Sequence, residues 1–539
     1  MGKKNNFLVH GSILAVSGVL VRLIGLLYRI PLINIIGDEG MGYYTNAFSI
    51  YSIGLIISSY SLPLAVSKLV AQRNNRKEYR NSYRIFLCSM IFAIVVGTIT
   101  SIVIYFGADF LASTIYNDPR SAIPLKVLAP TIFVFAVMGV LRGYYQGKNT
   151  MLPTAVSQVL EQVVNAIVSI VAAYQLMKSH SASDDIAAYG AAGGTLGTFI
   201  GACIGLLFLS FIFALYKPII DKQLRKDTIG YTERYSELFP VLILTLIPVI
   251  LSQSVYQLSS IIDNSIFGHV MEGKGFVYEE RSALLGIYQE KYNLLINVPV
   301  SIASALASAI VPGIVSAKVM GTSLELKEKV HLAIKFNMLI AIPSAVGLGV
   351  LASPILQLLF HDSRNMPAYL INMGAVAVIF FSLSTISSAV LQGINKMHVP
   401  VIHSAVALVI HGILVFVLLQ VFNLSTYGLV IGNVTFGFMV CILNWFAVKR
   451  YLNYKQEVVK TFIILGICAI IMGVIAFLTY LGLNTLSKSN FISTFAAILI
   501  AIISYAILLL VTKAVTKDEL YEMPMGRIII RYASKLHLL

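Results

Sequence analysis

Hydrophobic residues run along this chain in blocks of twenty or more, separated by short polar connections. Short segments of alternating polarity, the mark of a membrane barrel, are absent. A helix of roughly 20 apolar residues crosses about 30 Å of hydrocarbon. By that measure the pattern predicts fourteen spans, at 11–36, 44–71, 83–106, 123–146, 153–177, 188–216, 238–268, 283–317, 330–360, 368–393, 400–422, 425–448, 459–483 and 490–513. Several exceed the minimum, so tilt or extension into the interface is expected. The predicted class is an all-α integral membrane protein.

Composition strengthens that reading. Of 539 residues, 58% are hydrophobic and only 12% charged, against about 25% charged in soluble domains. The net charge of +15 would suggest nucleic acid in a soluble protein, but its placement gives it another meaning. With the N-terminus on the cytoplasmic side, the inside connections hold 26 of the 39 lysines and arginines and the outside connections six. That asymmetry is the positive-inside pattern and puts both termini in the cytoplasm. The first span carries Arg22 and Arg29 without a small-residue cleavage site, so it reads as a retained helix. Cys88, Cys203, Cys441 and Cys468 stand singly in apolar runs, without the spacing of a disulfide framework or zinc site. No connection is long enough for a catalytic domain or carries a Walker loop, an HExxH or a nucleophile elbow. The chain reads as a transporter, with no metal or cofactor.

Two passages copy one another. Residues 145–157 read YQGKNTMLPTAVS and 391–404 read LQGINKMHVPVIHS, matching Gln146-Gly147 to Gln392-Gly393, Pro153 to Pro400 and Ser157 to Ser404. A weaker pair joins Pro63 and Ser67 to Pro312 and Ser316. The offset equals six spans, an even number, which keeps both halves in one orientation about an axis along the membrane normal. The predicted architecture is an N-lobe of helices 1–6 (1–220), a C-lobe of helices 7–12 (221–452), then helices 13–14 with a cytoplasmic tail (453–539). Substrate would sit between the lobes near mid-membrane.

Ionisable groups inside spans are expensive unless they meet water, a partner or a ligand. Arg22 and Arg29 stand seven residues apart on the first span, so they share a face about 10 Å apart along the axis. Gly11, Gly18 and Gly25 form a second heptad on that helix. On the second span Tyr44, Tyr51, Ser58, Ser61 and Lys68 share a face, and Pro63 should kink it. The seventh carries Gln253, Gln257, Ser260 and Asn264 with Asp263 beside them. The eighth carries Glu290, Asn293, Asn297, Ser301, Ser304 and Ser308, flanked by Lys291. These stripes read as a polar interior, or as glue between helices. Arg142 and Glu161 flank the Gln-Gly turn as a structural pair or coupling site. Lys126 and Lys335 lie within snorkelling reach of an interface, and His403 and His411 read as satisfied within the bundle.

The stretches LIGLLYRIPLINIIGDEGMGYYTNAFSIYSIGLIISSYSLPLAVSKLVA (23–71), LRGYYQGKNTMLPTAVSQVLEQVVN (141–165) and GIYQEKYNLL (286–295) carry a resemblance. They resemble the polysaccharide-biosynthesis branch of the multidrug/oligosaccharidyl-lipid/polysaccharide (MOP) exporter superfamily, including its stage V sporulation protein B-like members and Gram-positive MurJ-type lipid II flippases. The resemblance implies a bacterial cell-membrane flippase moving an undecaprenyl-diphosphate-linked glycan from inner to outer leaflet by alternating access. It also implies a cationic cavity to which Arg22, Arg29 and Lys291 would belong. The substrate-binding expectation adds Lys68, Tyr44, Tyr51, Glu290, Asn297, Gln253 and Gln257. Partners would be the lipid-linked glycan, membrane lipids and cell-wall synthesis proteins. Lipid II is the first substrate reading. Another lipid-linked polysaccharide unit and a MATE-like multidrug exporter are the alternatives, and coupling to membrane potential, sodium or protons stays open.

Overall fold

In a computed structural model the chain is built of helices, and no strand occurs among the described residues. The structure describes residues 2–227, 231–319, 323–516 and 519, with side chains from Ser17 onward except at 248, 249, 251–256, 308–310, 312, 319 and 323. Contacts gather into two compact units, Met1–Gly286 and Ile287–Leu539.

The first unit holds α1 (Gly2–Leu55), α2 (Leu62–Asn75), α3 (Tyr79–Tyr116), α4 (Ala122–Gly147), α5 (Leu152–Ser179), α6 (Ile186–Arg225), α7 (Tyr235–Gly273) and α8 (Tyr278–Gly286). The 54-residue α1 is broken at Gly37, whose φ of 76° and ψ of 174° suit a residue without a Cβ. That break parts the first expected span from the second. A π-helical segment, Ile56–Tyr60, follows. Pro63 then falls in the first turn of α2, where its missing N–H leaves no bond unmade. The irregularity expected of Pro63 lies one turn earlier, in the π segment.

The close packing of α5 on α6 is written in glycine. Gly193, Gly197 and Gly201 recur every fourth residue, so they line one face of α6. A Cβ on Gly197 would stand 2.6 Å from the Asn165 carbonyl oxygen and the Ser169 nitrogen, and one on Gly201 2.6 Å from the Glu161 carbonyl oxygen. Only hydrogen fits between these backbones, the small-residue solution to helix packing in lipid. Elsewhere in the unit, Leu62, Val66, Phe86, Met138, Tyr144 and Leu209 belong to one hydrophobic cluster.

The connection into α7 is tied back to this unit. Arg73 places Nε and Nη2 on the two Glu233 carboxylate oxygens, each at 2.9 Å, and Arg84 donates to the Glu233 carbonyl at 2.6 Å. These bonds help explain why α7 and α8 gather with the preceding six helices, whereas the sequence repeat is divided at 220.

The second unit holds α9 (Leu294–Val319), α10 (Ser323–Val350), α11 (Ala352–Phe360), α12 (Asn365–Gly374), α13 (Ala377–Gly393), α14 (His398–Gln420), α15 (Ser425–Leu452), α16 (Ile464–Ser487) and α17 (Asn490–Val511), with π segments at Ile287–Asn293 and Val459–Ile463. Its His403, His411 and Asn444 are satisfied inside the bundle. The His403 Nδ1 meets Asn444 Oδ1 at 2.8 Å, Asn444 donates to Ser388 Oγ at 2.9 Å, and His411 Nδ1 lies 2.9 Å from the Gly432 carbonyl.

Among the described residues ten helical stretches are long and apolar enough to cross a membrane, or eleven with the α12–α13 pair, bent by 41°, taken as one. The first two expected spans run together in one of these, Ser17–Asn75. The expected spans at 238–268 and 283–317 include side chains outside the described set.

Gly197→Leu should therefore lower the thermal unfolding midpoint in detergent by several degrees, because overpacking costs about 1–3 kcal/mol. Gly482→Ala, at a helical position where a Cβ meets nothing within 4 Å, should leave it unchanged or slightly higher.

Candidate functional site

The arginine face of α1 can be oriented by the glycine within it. Positions 22, 25 and 29 fall on one side of the helix, and a Cβ on Gly25 would lie 3.1 Å from Gln162 Nε2 of α5. The cations therefore border the polar side of α5. Arg22 is exposed and has no hydrogen bond or ion pair among the described residues, while Arg29 is half-buried and has a partner. Beside Gln162, Glu161 is held by Arg142, whose Nη2 lies 2.7 Å from Oε2 while its Nε donates to Ser157 Oγ at 3.1 Å. The pair expected at the Gln-Gly turn is formed.

The second-span stripe is divided. Tyr44 and Tyr51 are 2% and 1% exposed, stacked and edge-on against Phe48 at 5.7 and 5.3 Å. Tyr51 lies in a hydrophobic cluster with Leu55, Ile104 and Leu125, and its hydroxyl has no hydrogen-bond partner among the described residues. Lys68 is exposed and unpartnered among the described residues. The π segment between them explains the split. It inserts extra residue per turn, so a face counted at 3.6 residues before Ile56 does not continue after Tyr60.

Lys291 is placed differently from Arg22. It lies in the π segment Ile287–Asn293, 4% exposed, with Nζ 2.6 Å from Asp362 Oδ2. Arg364 closes on the same carboxylate through Nε at 2.9 Å and Nη2 at 2.6 Å. Burial would raise the Asp362 carboxyl, but bonds from Arg364 and Lys291 carry it well below the usual carboxylate range. Lys291 is thus a neutralised cation, not an open one. Glu290 is buried and partnered, Asn297 exposed. Gln257 is half-buried, and the Gln253 side chain lies outside the described residues. Asp263 is buried and partnered, and Asn264 donates to Asn46 Oδ1 at 3.1 Å. Of the two lysines expected to snorkel, Lys126 pairs with exposed Asp109 at 2.7 Å. Lys335 is instead 1% exposed and bound by Glu519 at 2.6 Å.

Sequence reasoning missed a polar knot in the first unit. Arg120 reaches Asp185 at 2.7 Å, Glu279 at 3.0 Å and Glu39 at 3.6 Å, with its guanidinium 4.4 Å from the Tyr278 ring centre. Two residues earlier, buried Asp118 accepts from Ser121, Ser282 and Asn46 at 2.8, 3.0 and 3.1 Å. Burial pushes its carboxyl above the usual range, against those three bonds and the charge of Arg281. Arg281 donates to the carbonyls of Gly268 and Asn117 at 2.7 and 3.0 Å. The signal was available: the two longest outside connections, 107–122 and 269–282, carry Asp118, Arg120, Glu279 and Arg281.

Asp362→Ala should destabilise the protein by about 3–5 kcal/mol by stranding buried Lys291. The double variant with Lys291→Met should recover much of the loss in denaturation measurements.

Comparison with known proteins agrees with this architecture. The model of the family described as "Polysaccharide biosynthesis protein" matches residues 8–318. Stage V sporulation protein B of Bacillus subtilis is 28% identical, covering 98% of this chain and all of that protein. The lipid II flippase MurJ of the same organism is 25% identical over 87% of each chain. Among solved structures, a lipid II flippase MurJ in an inward closed conformation matches with a TM-score of 0.67 at 15% identity, covering 92% of this chain and 97% of that one. An inward-facing MATE-family multidrug resistance transporter of the MOP superfamily matches at 0.64 and 16%, covering 80% and 94%.

Proposed function

The chain belongs to the polysaccharide biosynthesis protein family, and on that footing we propose that it is a flippase for an undecaprenyl-diphosphate-linked glycan. The peptidoglycan precursor lipid II is the substrate favoured, because a lipid II flippase is among its relatives over most of its length. The observation that carries the proposal is the sorting of cations by partner. Lys291, Arg142 and Lys335 are each closed by a carboxylate, whereas Arg22 and Lys68 are exposed with no partner among the described residues. Unpaired cations on the membrane helices suit a diphosphate, and a guanidinium meets phosphate oxygens through two parallel hydrogen bonds.

In this reading Arg22, Arg29 and Lys68 receive the diphosphate from the cytoplasmic leaflet. Polar side chains meet the sugars, and the prenyl tail stays in lipid. Alternating access then exposes the head group on the other side. An inside-negative potential favours outward movement of anion by about 2.3 kcal/mol per charge per 100 mV, without chemical fuel. In this reading the protein works in the bacterial cell membrane with both termini cytoplasmic, an orientation its lysine and arginine distribution supports.

A multidrug exporter for cations would want an open acid within its spans. The three acids the sequence offers there are engaged: Glu161 by Arg142, while buried Asp263 and Glu290 both have partners. That disfavours the exporter.

The test is reconstitution in vesicles with fluorescent lipid II trapped on one leaflet. Wild-type protein should equilibrate it between leaflets. Arg22→Ala and Lys68→Ala should slow it at least tenfold, with thermal unfolding unchanged because neither side chain has a partner among the described residues. Wild-type rates in both variants would remove the phosphate-binding assignment. Depletion in the host should leave lipid II accumulating on the cytoplasmic leaflet, and accumulation of another lipid-linked glycan would name that substrate instead.

A further inference from the structure

Two buried acids in this chain are bonded in opposite ways. Asp362 is closed by two cations, with Lys291 Nζ and Arg364 Nη2 each 2.6 Å from Oδ2. Asp118, 4% exposed, has no ion pair among the described residues. Its side chain is bonded by neutral donors alone, the Ser121 and Ser282 hydroxyls and the Asn46 amide, and all three meet Oδ2. Oδ1 is buried with no hydrogen-bond partner among the described residues. The charge of Arg281 reaches this carboxyl, but the terminal nitrogens of Arg281 are spent on the carbonyls of Gly268 and Asn117. A charged oxygen so placed loses its hydration with no donor to replace it. The neutral acid suits the site better, and burial pushes the carboxyl above its ordinary range.

The same carboxyl joins the α7–α8 hairpin to the rest of the first unit. Ser282 lies on α8, Asn46 on α1, and Ser121 in the turn that leads into α4. Arg281 braces α8 to α7 through the Gly268 carbonyl at 2.7 Å, so the hairpin holds together as a piece. At the seam with α1 a Cβ on Gly42 would collide with the Ser282 carbonyl, and one on Gly286 with that of Asp38. The lysine and arginine distribution assigns this end of the helices to the outside.

We propose that Asp118 is a proton site on the outer side of the membrane, and that its neutral form latches α8 to α1 and to the start of α4. A proton held more tightly with α8 docked than with α8 away must, by linkage, favour the docked arrangement. That contribution is complete below the ordinary carboxylate range and is lost as pH rises through the raised value. The neighbouring ionisable groups act differently. Glu39, Asp185 and Glu279 hold Arg120 as charged acids, so acid would loosen that knot. Tyr43 bonds Glu39 and Arg120, Asp263 of α7 is buried and partnered, and His269 of α7 is exposed against the Ser265 carbonyl. Proton binding is measured without transport, so the site does not depend on which substrate is carried.

The experiment follows Leu285→Cys in the full chain in detergent. Leu285 is 2% exposed and shares a helical face with Arg281 and Ser282, so a thiol reagent should reach it only when α8 lifts. Modification is located by peptide mass spectrometry, and the rate is divided by that of Glu280→Cys, an exposed neighbour, to remove the pH dependence of the thiol itself. The quotient should fall by about threefold or more from pH 8 to pH 5. Asp118→Asn, neutral throughout, should give a low quotient at every pH, whereas Glu279→Gln and His269→Gln should keep the response. A quotient that rises in acid would overturn the proposal and assign the response to the acids on Arg120. A flat quotient, a response that survives in Asp118→Asn, or one lost in Glu279→Gln or His269→Gln would overturn it too. The direction of the response with Asp118 intact decides even if Asp118→Asn does not fold.

Discussion

The cost of an unpaired charge in a medium of low dielectric governs this structure. A buried carboxylate or ammonium loses several kcal/mol of hydration, and the fold answers that cost case by case. Lys291 and Asp362, both with side chains 5% exposed, close on each other with Arg364 as a third member. Arg142 and Glu161 do the same beside the first Gln-Gly turn. Once these pairs are set aside, the charges that remain open gain meaning from having been left so. Arg22 and Lys68, without a partner among the described residues, are such charges on the membrane helices, and both belong to the first unit.

The backbone supplies the second constraint. Every N–H and C=O within hydrocarbon must be satisfied internally, which confines the chain to helices. What variety there is comes from local departures. Gly37 breaks α1, and the π segments at Ile56–Tyr60 and Ile287–Asn293 fall in the second and eighth expected spans. A π segment rotates the faces that follow it, and both segments interrupt stripes of polar residues. Tyr51 and Lys68, on one face by simple periodicity, end up buried and exposed respectively, as do Glu290 and Asn297.

That rotation marks how far the sequence could be read. Helix positions were legible because apolar block length is nearly a direct measure of them, and Arg142 with Glu161 was legible because the two flank one tight turn. The fate of Lys291 was not, since Asp362 lies 71 residues away in the connection between α11 and α12. Burial of Tyr44 and Tyr51 was not either, because nothing in the residues around 56–60 announces a π segment. Pattern reading assumes one helical period, and it fails where the backbone changes period.

The knot around Arg120 shows the same economy applied to connections. Arg120 sits just before α4, yet its carboxylate partners come from α1, from the residue before α6, and from α8. Asp118, two residues earlier, receives donors from α1 and α8 as well. Three segments far apart in sequence thus converge on two charges one residue apart, one buried under three hydrogen bonds and one shared among three acids that are each partly exposed. The acids around Arg120 keep a third or more of their side-chain surface exposed, whereas the guanidinium they share is only 12% exposed. Asp118 is the stiffer element, because moving α8 away from it would leave a buried carboxyl without the Ser282 hydroxyl. Any motion of the α7–α8 hairpin against the other helices of this unit must therefore break the Ser282 bond to Asp118, the Arg120–Glu279 pair and the Arg281 bond to Asn117 together.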